Sequence, residues 1–106
     1  MTTVNQLLNA MSRHQGRESG IGAKQLAEEL GVPPRRLRQL ISAAREDGIA
    51  LCGKPSTGYF MPLTPAELAE SCAFLEHRAL KSLRLLSRMK KVSMPALLGQ
   101  LNLNQA

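Results

Sequence analysis

Apolar residues fall at helical spacing along most of this chain. Val4, Leu7, Leu8 and Met11 follow i, i+3, i+4, i+7, one face of a helix. Thr3 with Gln6 three residues on has the form of a capping box, so a first helix is predicted over about Val4–Arg13. The polar run His14 to Gly20 holds two glycines and predicts a loop. Ile21 then offers a minimal strand. Ala23, Leu26, Ala27 and Leu30 restore the helical period, and Gly31 is placed to end a second helix in the left-handed conformation. Val32 points into the core across the turn. Pro33 and Pro34 start a helix but cannot continue one. Leu37, Leu40, Ile41 and Ala44 form the apolar stripe of this third helix, which Asp47-Gly48 ends.

The pattern then changes period. Ile49–Cys52 reads as a strand, Gly53–Gly58 as a turn-rich loop, Tyr59–Met61 as the return strand, and Pro62 closes the unit. Thr64-Pro65-Ala66-Glu67 is a second capping box with Pro at the first helical position. A long helix free of Gly and Pro is predicted from there to about Lys91. Val92-Ser93-Met94-Pro95 breaks it, Ser93 caps a last helix over Met94–Leu98, and the end from Asn102 to Ala106 is expected to fray.

A short helix, a tight Gly turn and an arginine-rich helix make the helix-turn-helix pattern, and the hairpin adds a wing. The expected fold is mostly α with a small β-hairpin wing: a winged helix-turn-helix over 1–62, followed over 63–106 by a long amphipathic helix and a short C-terminal helix and tail. A chain of 106 residues holds one such domain with an appendage.

Composition narrows the function. A 43% hydrophobic content suffices for a core, but aromatics are only 3%, so the core is aliphatic. Scarce aromatics also argue against base stacking, on which single-strand binders rely. The net charge of +6 favours a polyanionic partner, nucleic acid above all. Cys52 and Cys72 show no metal-ligand spacing and read as two buried free thiols of a reducing cytosol. No apolar run reaches membrane-spanning length and no signal peptide opens the chain, so a cytoplasmic protein with no membrane partner is expected. His14 and His77 stand apart, with no nucleophile–base pair, metal spacing or phosphate-cradling Gly loop beside them. No catalytic residue, metal or cofactor is therefore expected.

The third helix carries the candidate binding chemistry. With its apolar stripe inward, the opposite face holds Arg35, Gln39, Ser42 and Glu46, with Arg38 and Ala43 at the shoulders and Arg36 and Arg45 toward the flanks. The major groove of duplex DNA admits one α-helix, and there Arg pairs with guanine and Gln with adenine in a bidentate manner. The small Ser42 and Ala43 let the helix come close, while Arg36 and Arg45 suit phosphates. The start of the second helix, near Ala23 and Lys24, is a further phosphate contact. Lys54 on the wing suits phosphate or the minor groove. Glu46 disagrees mildly, and is expected to lie beyond the groove or to pair with an Arg.

Leu26-Ala27-Glu28-Glu29-Leu30-Gly31-Val32, Leu37, Ile41, Asp47-Gly48-Ile49 and Gly58-Tyr59, spread over about Ile21–Pro62, resemble the winged helix at the N-terminus of the bifunctional biotin-operon repressors. The resemblance implies that Arg35, Arg36, Arg38, Gln39 and Ser42 face DNA and that Lys54 is the wing contact. Two departures stand out. Such domains usually begin the third helix with a Ser or Thr cap, where this chain has Pro33-Pro34. Their catalytic and effector-binding domain has no counterpart here, so neither biotin nor ligase activity is expected.

Along the long helix Leu68, Cys72, Leu75, Ala79, Ser82, Leu86 and Met89 are spaced alternately four and three apart, a heptad-like seam broadened by Leu83. The seam serves a homodimer or packs on the winged domain. Dimerisation is the favoured expectation, because a helix of ~26 residues is about 39 Å long and overhangs so small a domain. Arg78, Lys81, Arg84, Arg88 and Lys91 form a stripe opposite the seam, for phosphate contact or for solvation and charge at the helix C-terminus. The apolar side of Met94–Leu101 docks on the dimer or recruits a protein partner.

The leading expectation is sequence-specific double-stranded DNA binding by a small dimeric transcriptional regulator, with half-sites roughly 34–36 Å apart. The alternative is a winged-helix assembly adaptor of replication or packaging, with weak or no specific DNA binding. Small size without a sensor domain points toward a phage or mobile-element protein.

Overall fold

A computed structural model describes residues 2–103. In chain order the elements are α1 (Val4–Met11), a 3-10 turn (Arg17–Ser19), α2 (Ala23–Leu30), α3 (Pro34–Glu46), β1 (Cys52–Lys54), β2 (Gly58–Phe60), α4 (Pro65–Lys90) and α5 (Met94–Gln100). This is the winged helix-turn-helix topology followed by a long helix. The chain divides into two compact units, Met1–Cys72 and Ala73–Ala106. No helix among the described residues is long and apolar enough to cross a membrane.

The first unit is built on the predicted stripes. Leu7 and Met11 of α1, Leu26 and Ala27 of α2, and Leu37, Leu40, Ile41 and Ala44 of α3 are all buried, with Ile21 and Leu51 beside them. Ala23 is exposed, because it opens the first turn of α2 rather than facing inward. The Thr3–Gln6 capping box is complete: Gln6 N–H donates to Thr3 Oγ1 at 3.3 Å and Thr3 N–H to Gln6 Oε1 at 2.8 Å.

Left-handed residues end the helices. Gly31 takes φ 69°, and Val32 N–H donates to the Ala27 carbonyl at 3.0 Å. With Gly31 N–H on the Glu28 carbonyl at 3.1 Å, this pairing satisfies two of the last carbonyls of α2 and turns the chain toward α3. Gly48 does the same for α3 with φ 84°, Ile49 N–H donating to the Ala44 carbonyl at 3.1 Å. The consequence is a shifted first strand. Ile49–Cys52 was the expected strand, but Ile49 is held by the α3 terminus and the Leu51 carbonyl accepts from Arg45 Nε at 2.9 Å. Pairing therefore starts at Cys52, with Cys52 opposite Phe60 and Lys54 opposite Gly58.

Ile21 forms the expected minimal strand. Its N–H donates to the Tyr59 carbonyl at 2.9 Å, and Tyr59 N–H donates back to the Ile21 carbonyl at 2.7 Å. The hairpin is thus tied to the entry of α2. The loop before Ile21 is more ordered than its composition implies: Met61 N–H donates to the His14 carbonyl at 2.8 Å and Gly16 N–H to the Met61 carbonyl at 2.7 Å.

The first unit runs past the expected boundary at Pro62 because the first turns of α4 pack on the hairpin. Gly53 N–H donates to Ser71 Oγ at 3.3 Å. Cys52 is buried as expected, and burial raises its thiol pKa. Cys72 is exposed, a correction to the expectation of two buried thiols. It lies on the outward seam of α4, where nothing in the unit covers it.

In the second unit α4 ends at Lys90 and Lys91 adopts φ 56°. Val92 N–H donates to the Ser87 carbonyl at 3.0 Å, the same terminator as at Gly31 but with a lysine in the strained position. Ser93 caps α5 by accepting from Ala96 N–H at 3.3 Å, and α5 continues past the predicted Leu98 to Gln100. Leu97 is fully buried, and Lys90 Nζ donates to Gln100 Oε1 at 3.2 Å. Of the end expected to fray, residues 104–106 lie outside the described residues.

Candidate nucleic-acid interface

The geometry of α3 follows from its buried stripe. With Leu37, Leu40, Ile41 and Ala44 inward, the other side turns out as one surface. Arg35, Arg38, Gln39, Ser42, Ala43 and Glu46 line a single shallow groove, open to solvent. Arg35, Arg38, Gln39, Ser42 and Glu46 are exposed, and Ala43 is half-buried. Among the described residues Arg35 and Arg38 take part in no ion pair. Glu46 lies in the same groove rather than beyond it, and it too has no ion-pair partner there.

The flanking arginines are engaged within the fold. Arg36 donates to the Thr2 carbonyl at 3.2 Å and to Gln39 Oε1 at 3.4 Å. Arg45 uses Nε on the Leu51 carbonyl, which locks the exit of α3 to the strand that follows. Guanidinium carries five N–H donors, so each keeps donors for a phosphate, but each also has a structural task. Lys24 is exposed in the first turn of α2, where Gly22 supplies no side-chain cap. The N-cap of α3, Pro33, supplies none either.

Lys54 departs most from its expected role as wing contact. Its Nζ lies 2.8 Å from Glu70 Oε1, and Arg17 Nη1 lies 2.6 Å from Glu70 Oε2. One carboxylate on α4 thus holds the wing lysine and the 3-10 turn together. The hydrogen bond from Lys54, opposed by desolvation and aided by the Arg17 charge, lowers the Glu70 pKa. Glu67 works beside it. Its Oε2 accepts from Arg17 N–H at 2.9 Å and its Oε1 from Leu63 N–H at 2.8 Å, while Thr64 Oγ1 accepts from Glu67 N–H at 3.2 Å. The bond from Arg17 N–H, then that from Leu63, lowers the Glu67 pKa. The capping box is therefore modified: Glu67 reaches one residue further back than the cap and bridges to Arg17. Sequence spacing marked Glu67 as a cap partner, but nothing local signalled Arg17 and Glu70, which stand 53 positions apart.

Both carboxylates titrate below their unfolded values, so both stabilise the fold above about pH 4.3 and lose that contribution as pH falls through the lowered pKa. Urea denaturation at pH 7 and pH 3 checks this. The wild-type midpoint should fall more between the two than that of Glu67→Gln; equal falls would show that Glu67 carries no acid sensitivity.

Leu68 and Cys72 belong to the first unit; Leu75, Ala79, Leu83, Leu86 and Met89 belong to the second. Leu68, Cys72, Leu75, Ala79 and Met89 are exposed, Met89 by 81%, whereas Leu83 and Leu86 are half-buried. The histidines stay apart: His14 Nδ1 lies 2.8 Å from the Ser19 carbonyl, and His77 is on the exposed surface of the second unit. No group of three His, Cys, Asp or Glu among the described residues is arranged to hold a metal.

Searches against protein-family models, characterised proteins and solved structures find no match to this chain.

Proposed function

We infer that this chain is a small double-stranded DNA-binding protein, a transcriptional regulator that lays α3 in the major groove and pairs with a second copy through the seam of α4. It is a binding protein rather than an enzyme. The observation that carries the reading is the α3 groove. Two arginines without an ion pair among the described residues, a glutamine and two small side chains are gathered on the face that the buried stripe turns outward. Arg and Gln there match the edges of guanine and adenine, and Ser42 and Ala43 permit close approach. The resemblance of Ile21–Pro62 to the biotin-operon repressor winged helix supports the same placement.

The exposed seam supports the dimer. Leu68, Leu75 and Met89 leave apolar surface in water on one side of a helix at heptad-like spacing, which pairing would cover. The working surface is α3 with Lys24 at the start of α2. Lys54, held by Glu70, acts in this reading mainly to fix the wing.

The test is a titration of the purified protein against a random duplex pool, with bound sequences recovered and read, and with mass measured by sedimentation. Salt-sensitive binding enriched in a two-fold repeated motif, by a protein of twice the chain mass, is expected. Binding without enrichment would sink the sequence-reading role. No binding at low salt, with self-association intact, would favour an assembly adaptor.

A further inference from the structure

The positive charge of this chain is not where the helix-turn-helix is. Residues 1–72 carry eight Lys and Arg against seven Asp and Glu. Residues 73–106 carry six cations (Arg78, Lys81, Arg84, Arg88, Lys90 and Lys91) against the single carboxylate Glu76. Five of the six net positive charges therefore lie in the second unit. In the first unit three cations are also spent on internal ion pairs: Arg13 with Glu29, and Arg17 and Lys54 with Glu70.

The six cations of the second unit are arranged differently. All are exposed, and no ion pair among the described residues involves them. Glu76 stands neither three nor four positions from any of them, so it compensates none along the helix. Arg78, Lys81, Arg84, Arg88 and Lys91 instead follow each other at spacings of three or four, where like charges repel and weaken a helix. Compensation of the helix dipole accounts for cations in the last turn only. It covers Arg88, Lys90 and Lys91 but not Arg78, Lys81 and Arg84, which sit further back in α4. An ordinary solvated face intersperses both signs; this one does not. From Arg78 to Arg88 the stripe runs about 15 Å along α4 at 1.5 Å per residue, the length of about four phosphates of one strand at 3.4 Å each. At about 100° per residue Lys81, Arg84 and Arg88 lie opposite the seam, with Arg78 at its flank, so pairing through the seam leaves those three open.

We propose that the basic stripe of α4 is a second nucleic-acid surface, which binds the phosphate backbone of duplex DNA and supplies most of the sequence-independent affinity. The α3 groove then supplies discrimination among sequences. The proposal rests on the DNA-binding reading above and divides its labour between the two units.

The experiment uses the full chain and measures binding to a random-sequence duplex by fluorescence anisotropy over a range of salt. The probe variant is the triple substitution Lys81→Gln, Arg84→Gln, Arg88→Gln, at exposed positions with a good helix former, its helicity checked by circular dichroism. Each lost phosphate contact should reduce the slope of log affinity against log salt by about 0.9, so a fall of about 2 to 3 is expected. The companion Arg84→Lys, Arg88→Lys, which keeps the charge, should retain the wild-type slope. An unchanged slope in the triple variant, with the wild type still binding steeply, overturns this proposal and leaves α3 as the DNA surface. Failure of the wild type to bind duplex at low salt overturns both; binding to phosphatidylglycerol vesicles instead would assign the stripe to an anionic lipid surface.

Discussion

Replacing Gly58 by alanine should destabilise the protein by about 3 kcal/mol or more, a large part of the stability of a small domain. Two independent costs meet there. Gly58 has φ 72°, a region that L side chains enter only with strain. A Cβ at that position would also lie 2.6 Å from the Ile21 carbonyl oxygen and 3.0 Å from Gly22 N. The Ile21 carbonyl is the acceptor of the reciprocal Ile21–Tyr59 bridge, so the added methyl must push the hairpin away from the entry of α2. Gly48 supplies the control. Its φ is 84° but nothing lies within 4 Å of its would-be Cβ, so Gly48→Ala should lose only the left-handed strain, about 1 kcal/mol. Urea unfolding of the two variants beside the wild type separates the terms. Equal losses would mean that the wing is not seated on Ile21, and with it would go the argument that the hairpin fixes the start of α2.

Much of this fold was readable because local and tertiary preferences agree. The stripes of α1, α2 and α3 all face one core, and Gly31 and Gly48 end helices where glycine is the cheapest residue to do so. Reading failed where a backbone group had a partner distant in sequence. Ile49–Leu51 has the composition of a strand, but the end of α3 and the Arg45 side chain take its hydrogen bonds first. Lys91 ends α4 in a conformation that the sequence assigns to glycine, so no residue type marked it. Lys54 looked like a free wing lysine because its partner Glu70 lies on another element. The face of α3 was legible for the opposite reason: four buried positions in one helix determine where every other side chain points.

The partition of charge sharpens what α3 must do, and it leads to the second large effect. With the first unit so nearly neutral, Arg35 and Arg38 gain little from a general electrostatic attraction, so their contribution should depend on the base pair they meet. On a selected preferred site, each of Arg35→Ala and Arg38→Ala should cost about 1–3 kcal/mol, roughly 5- to 150-fold in Kd. On random duplex the same variants should lose much less, because the stripe on α4 still holds the phosphates. Both side chains are exposed and, among the described residues, form no ion pair, so both variants should melt like the wild type, and lost affinity will not be lost structure. Side-by-side titrations on the preferred site and on random duplex decide the matter. Equal losses on the two DNAs would make these arginines phosphate contacts. A selective loss would make the α3 groove the part of the molecule that reads sequence.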